Sequence, residues 1–184
     1  MEVNIVLAPQ PTITTDLFDL RPPRGSDAGL IGHYAGDARV AKNTRTIPHP
    51  LPPGAIETMI ARAQAPDRAE CRWVLDGTRS GRPEVMGLIS LSRVDQGQSE
   101  LSFWIAPAFW NAGLATSAIQ ALIDANPHRA SAMFAVVMQD NPASARVMTN
   151  CGFQYLGDAE AYSVARGANV PTWTYARKLG QQRN

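Results

Sequence analysis

Gly113 stands between an aromatic-rich strand pattern and an apolar helix, in the stretch "FWNAGLATSAIQALID" from 109 to 124. A helix start leaves backbone N–H groups without partners at the positive end of the helix dipole, and an anion can sit on them. Gly113 and Ala115 keep that approach nearly free of side chain, as close contact with a phosphate requires. A glycine at the same place can equally relieve a tight turn, so the stretch alone leaves both readings open. It lacks the GK[ST] of a P-loop and the G-x-G-x-x-G of a dinucleotide fold. Metal chemistry finds little support: Cys71, Cys151 and three scattered histidines make no ligand-spaced cluster.

The elements that must position this stretch follow from the rest of the chain. With 184 residues, 45% hydrophobic and 18% charged, the sequence reads as one globular domain with a real core. Seventeen basic against sixteen acidic residues leave +1, which gives no global field for nucleic acid or an anionic membrane. An anionic ligand must therefore be held by local geometry. The N-terminal "VNIVLA" follows Glu2 rather than a basic region, which argues against a signal peptide, and no apolar run reaches membrane-spanning length. Two isolated cysteines suit a reducing cytoplasm.

Residues 1–14 read as an extended arm interrupted by Pro9 and Pro11, and 15–180 as a single domain with a disordered tail at 181–184. "LFDLRP" (17–22) predicts a first strand, ended by Pro22 and Pro23. Ser26 and Asp27 then cap a helix to about Tyr34, and Pro53 starts another bearing Ile56, Met59, Ile60 and Ala63. Between them lies the proline-stiffened loop "TIPHPLPP" (46–53). Strands follow at 71–76, 84–94 and 99–105; in the last, Leu101, Phe103 and Ile105 face one way and Ser102 and Trp104 the other. Ala115, Ala118, Ile119, Leu122 and Ile123 form a buried helical stripe. "AMFAVVM" (132–138) is apolar throughout, as a strand covered on both faces should be. Asn141 is placed as a helix N-cap, with Pro142 in the first turn and Gly152 at the stop, and two strands near 153–157 and 172–179 close the chain. This order predicts an α/β sheet with helices packed across it.

Taken together, "SELSFWIAPAFWNAGLATSAIQALI" and the later "DNPASARVMTNCGF" resemble the GNAT superfamily, the GCN5-related N-acetyltransferases that use acetyl-CoA. The first resembles its Q/R-x-x-G-x-G/A pyrophosphate loop, with Trp110 at the first position and Gly113 and Ala115 at the small ones. The second resembles the helix carrying N-x-x-S, here Asn141 and Ser144, before the closing Gly152–Phe153. "TDLFDLRPPRGSDA", "TIPHPLPP" and "ELSFWIAPAFWNAGLAT" are similar to the Rim-type branch, which acetylates ribosomal-protein N-termini. The resemblance spans about residues 15–179 and implies a mixed, strongly twisted sheet of six to seven strands. It also implies helices on both faces and a splayed central strand pair.

For the site, the resemblance implies acetyl transfer from acetyl-CoA directly to a primary amine, without a metal. The alternative is a non-catalytic acyl-CoA-binding or sensing domain. Ala112, Gly113, Leu114, Ala115 and Thr116 are expected to hold the CoA pyrophosphate, and Phe103, Trp104 and Ile105 to meet its pantetheine arm. Asn141 and Ser144 are expected near the thioester. Glu100 is the candidate base and Ser144 the candidate acid, while His49, Trp104 and Trp110 are candidates for the acceptor pocket. The acceptor is a protein or peptide N-terminus or a small amine, and the chain a monomer or homodimer. The family's usual tyrosine acid is replaced by Met148, and its loop glycine and Gln, Arg or Lys by Asn111 and Ala112.

Overall fold

The computed structural model describes residues 10–95 and 97–180, so most of the expected arm (1–9) and the expected tail lie outside the described residues. The strands are β1 (Ile13–Thr14), β2 (Asp19–Arg21), β3 (Glu70–Asp76), β4 (Gly87–Asp95), β5 (Gln98–Ile105), β6 (Ala132–Met138), β7 (Gln154–Ser163) and β8 (Ala168–Lys178). The helices are α1 (Ala28–Ala35), α2 (Ala38–Ala41), α3 (Ala55–Gln64), α4 (Leu114–Ala125) and α5 (Pro142–Asn150). All eight strands form one sheet in the order β1-β2-β3-β4-β5-β6-β8-β7. Every pairing is antiparallel except that of β5 with β6.

One strand more is present than the six to seven expected. The addition is β1, a two-residue pairing of Ile13 and Thr14 with Leu20 and Asp19, too short to leave a periodic signal beside Pro9 and Pro11. The four residues of α2 escaped notice for the same reason. The closing hairpin is also longer than expected. β7 is exposed along most of its length and lacks the apolar alternation that marks a half-buried strand.

Two apolar clusters sandwich the sheet. On one face the α4 stripe of Ala118, Ile119, Leu122 and Ile123 packs with Ala145 and Met148 of α5 against Leu101, Met133, Ala135 and Val137. On the other, Ile31 and Ala35 of α1 and Ile56 and Ile60 of α3 cover Val74 and Leu88. α4 starts at Gly113, whose φ of +73° is left-handed, and stops at Asn126, whose side chain grips the backbone of Ala130 at 2.9 and 3.0 Å. α5 starts at Pro142 and is released by Gly152 at φ +79°.

The sheet is not continuous through its centre. β5 and β6 pair at Gln98–Ala132, Ser99–Met133 and Glu100–Phe134, and beyond Glu100 no further pairing joins them. The rest of β5 stays on β4 and the rest of β6 on β8, which opens a gap in the middle of the sheet.

Candidate active site

The gap is lined with backbone. Ala106 donates to the Met86 carbonyl at 2.9 Å, and Leu88 and Ser90 lie opposite Trp104 and Ser102. By the alternation of an antiparallel ladder, the N–H and C=O groups of Leu101, Phe103 and Ile105 then turn away from β4 and into the gap. The Ile105 carbonyl is taken up by the Trp110 indole at 2.7 Å. Trp104 keeps its backbone on β4 and lines the gap with its ring.

A cleft of about 510 Å³ continues from the gap to the start of α4, along Asn111 to Ala115 and the α5 residues Ala143, Ser144, Arg146 and Val147. The first bond within α4 is Ser117 N–H to Gly113 O at 3.1 Å, so the N–H groups of Leu114, Ala115 and Thr116 have no acceptor inside the helix. No side chain caps them. A Cβ built on Gly113 meets nothing within 4 Å. Asn111 has φ +60°, a conformation that asparagine tolerates better than other side-chain-bearing residues. Ala112 brings no donor, but Arg39, Lys42 and Arg146 all line the cleft and make it cationic. Arg39 also stacks on Trp110, 5.8 Å from the ring centroid, and forms a 2.7 Å ion pair with Asp37.

A second cavity, of about 200 Å³, opens on the α1–α3 face of the sheet and meets the first at Asn43, Phe103, Trp104, Asn141 and Ser144. At this junction the Asn141 Nδ2 donates to Ser144 Oγ at 2.9 Å. Asn141 makes no capping bond with its side chain. The serine hydroxyl, having accepted that bond, keeps its own proton to donate. Met148 is fully buried in the apolar cluster, so the position of the family tyrosine belongs to the core here.

The floor of the smaller cavity is a polar patch on an otherwise apolar sheet face. Register across β3, β4 and β5 makes three successive rows: Val74–Leu88–Trp104, Arg72–Ser90–Ser102 and Glu70–Ser92–Glu100. The first row lies under α1 and α3, and the next two carry no apolar side chain. Ser90 and Ser102 hydrogen-bond each other at 2.6 Å. Arg72 pairs with Glu70 at 2.6 Å, and Arg45, from the loop after α2, pairs with Glu100. That loop is tied down by the tip of the β7–β8 hairpin. Arg166 donates to the Lys42 carbonyl at 2.9 Å and clasps Asp140 at 2.6 and 2.9 Å, and Val164 donates to the Arg45 carbonyl at 3.1 Å. The Arg166 hydrogen bonds hold the Asp140 carboxyl below the usual carboxylate range.

Most of the residues singled out in the sequence converge here. Phe103, Trp104, Ile105, Ala112, Gly113, Leu114 and Ala115 line the cleft, Asn141 and Ser144 the junction, and Glu100 the smaller cavity. Three depart from expectation. Thr116 lines neither cavity, and its carbonyl accepts from the Cys151 thiol at 3.6 Å. Trp110 sits on the cleft side rather than in the smaller cavity. His49 is exposed and lines neither, because the proline loop runs over the surface. Arg45, Arg72, Ser90 and Ser92 were missed, although the pairs Glu70/Arg72, Ser90/Ser92 and Glu100/Ser102 each repeat a polar residue at period two within an apolar strand.

Among the described residues no group of histidine, cysteine, aspartate or glutamate is placed to hold a metal, and no helix is long and apolar enough to cross a membrane. No curated protein matches the sequence. The fold is shared with the microcin C7 self-immunity acetyltransferase MccE, solved with acetyl-CoA and AMP (TM-score 0.76, 16% identity, 96% of this chain and 100% of that one). It is shared equally with the spermidine N-acetyltransferase of Vibrio cholerae, solved with CoA and spermine (0.76, 17%, 91% and 98%). A third likeness is to RimL, a ribosomal L7/L12 alpha-N-protein acetyltransferase solved with coenzyme A (0.77, 15%, 94% and 100%). The family model of the acetyltransferase (GNAT) domain matches residues 18–154, most of the chain. The chain belongs to the GNAT acetyltransferases, enzymes that take their acetyl group from acetyl-CoA.

Proposed function

We propose that this protein transfers the acetyl group of acetyl-CoA directly to a primary amine. The observation that carries this reading is the junction. A cationic cleft ending on a bare helix N-terminus meets a polar cavity at Asn141 and Ser144, beside the unpaired backbone of β5. The residues fit the donor. The N–H groups of Leu114 and Ala115 suit a pyrophosphate, with Arg39, Lys42 and Arg146 adding charge around it. Phe103 and Ile105 present strand backbone to an amide-bearing arm. Bound there, acetyl-CoA supplies a thioester carbonyl activated for attack by an amine.

The chain's own part is to position groups and move protons. An N–H group in the gap, aimed where negative charge develops on a carbonyl oxygen, is worth about 2.7–4 kcal/mol in comparable sites. Glu100, held by Arg45 through Oε1, keeps a carboxylate in the acceptor cavity and serves as the base for the incoming ammonium. Ser144, oriented by Asn141, donates its proton to the departing thiolate. The two free cysteines suit the cytoplasm as the place of work.

Thiol release from acetyl-CoA, followed with a panel of amines and peptides, tests the reading. Met148, buried where the family's usual tyrosine acid is expected, has no proton to give and favours the other reading, a non-catalytic acyl-CoA sensor. A sensor binds CoA by calorimetry and releases no thiol with any acceptor, whereas the transferase releases thiol in step with acetylated product.

A further inference from the structure

The floor of the smaller cavity carries information about the acceptor. Folding does not call for it: one register step from Val74–Leu88–Trp104, the same sheet face changes from apolar core to two wholly polar rows. Ser90 is 3% exposed, and its hydroxyl is bonded to Ser102. The charged groups on the cavity wall balance, with Arg45 and Arg72 against Glu70 and Glu100. A polycation would meet as many positive as negative charges here, and an amine without an acidic group would leave the remaining Arg45 and Arg72 donors, beyond the Nη2 bound to glutamate, without an acceptor. An acceptor carrying its own carboxylate matches both signs. We infer that the protein acetylates an amine that bears a carboxylate at the end of a glutamate-length side chain, with Arg72 reading that distal carboxylate while Glu100 faces the amine.

The layout separates the two ends. Glu100 lies on β5, the strand that reaches the junction at Phe103 and Trp104, and Arg72 lies one register row away on β3, two strand spacings or about 9.6 Å across the sheet. Each guanidinium contacts its glutamate through Nη2, and arginine carries five donors in a planar fork, so a second acceptor can join without breaking the pair. The cavity is small, about 200 Å³, below the range of about 300–1,000 Å³ usual for drug-sized ligands. It suits a single residue: free glutamate, or the first residue of an acidic N-terminus. The inference rests on the transferase reading for its chemistry but not for its recognition.

The probes are isosteric pairs that differ in one charge: glutamate against glutamine, and the tripeptide amides Glu-Ala-Ala and Gln-Ala-Ala, with spermidine as polycation. The expected result is kcat/KM at least about 30-fold higher for the glutamate member of one pair, and spermidine poorer still. Which pair discriminates tells a free amino acid from a peptide end. Arg72→Gln should cut the discrimination to under about fivefold, chiefly through KM. Glu70→Gln, which removes the competitor for Arg72, should raise it; a purely structural role would move both variants the same way. Titration of glutamate and Glu-Ala-Ala amide into the CoA-loaded protein reads the same preference without turnover. Binding preference without thiol release would overturn the transferase reading and the acetylation, and leave only the recognition of the carboxylate by Arg72 standing. Thiol release with equal or better glutamine acceptors, or an Arg72→Gln loss shared by both members, would overturn the inference and leave the transferase reading intact. Binding of neither member would overturn the inference as well.

Discussion

Replacing Gly113 by alanine, glutamine and glutamate separates backbone strain, bulk and charge at the start of α4. All three replacements must adopt φ +73°, which costs about 1 kcal/mol for a residue with a Cβ and lowers Tm by about 2–4 °C in a chain of this size. No neighbour lies within 4 Å of the new Cβ, so the strain is shared and no core contact is lost. Glutamine adds the volume of glutamate without its charge. If a phosphate sits on the N–H groups of Leu114 and Ala115, a carboxylate at about 5 Å repels it by roughly 3 kcal/mol at an effective dielectric of about 20. Solvent at this exposed loop reduces that to about half. Glutamate should therefore bind CoA roughly ten- to a hundredfold more weakly than glutamine, with equal melting temperatures. Calorimetric titration of CoA at two salt concentrations checks this, and the gap should narrow at high salt. Equal CoA affinities for Glu and Gln variants would refute the phosphate seat and return Gly113 to a turn residue.

Ser144→Ala should lower kcat about a hundredfold while changing CoA affinity little, as removal of a proton donor does; single-turnover measurement separates the two. Arg166→Ala should free the loop bearing Arg45 and raise the acceptor KM about three- to tenfold with CoA affinity retained, as steady-state kinetics in both substrates would show. Arg21, 6% exposed, holds Asp27 and Asp76 at 2.6–2.9 Å. Burial works to raise both carboxyls, but the Arg21 hydrogen bonds and charge outweigh it and hold both below the usual range. Because their folded pKa values lie below the unfolded ones, their stabilisation is complete above about pH 4–5 and is lost as pH falls through the folded values. Thermal melts should thus be flat near neutrality and drop in acid. Arg21→Met removes the buried cation from Asp27 and Asp76, leaving Asp27 with the Arg24 N–H and Asp76 with Thr78 and the more distant Arg24, and should cost about 3 kcal/mol and lower Tm by about 6–12 °C near pH 7.

Local patterns carried the elements, and pairing carried the chemistry. The α4 stripe and the Asn141–Pro142 start of α5 are written in consecutive residues, so periodicity and capping rules place them within a residue or two. The cleft follows, because its wall is one short loop. The smaller cavity does not. Arg72, Ser90 and Ser102 come from three strands, and only the register of β3, β4 and β5 puts them in one row. Arg45 reaches Glu100 across 55 positions of sequence, on a loop placed by a hairpin more than a hundred residues later. Asn141 reads as an N-cap in sequence, yet its side chain turns to Ser144 instead of the helix backbone, a choice of rotamer that no spacing rule encodes.

Strand order also governs how this protein is made. β8 lies between β6 and β7, so β6 keeps an open edge on one side and half a gap on the other until residues 168–178 have left the ribosome. The helices and the bare start of α4 precede that point in the chain, and the clasp of Arg166 on Lys42 and Asp140 lies just before it. A nascent chain halted before β8 therefore presents the open edge of β6 and a β7 that lacks its only partner strand among the described residues. The strand made last among those described is thus the one that closes the sheet.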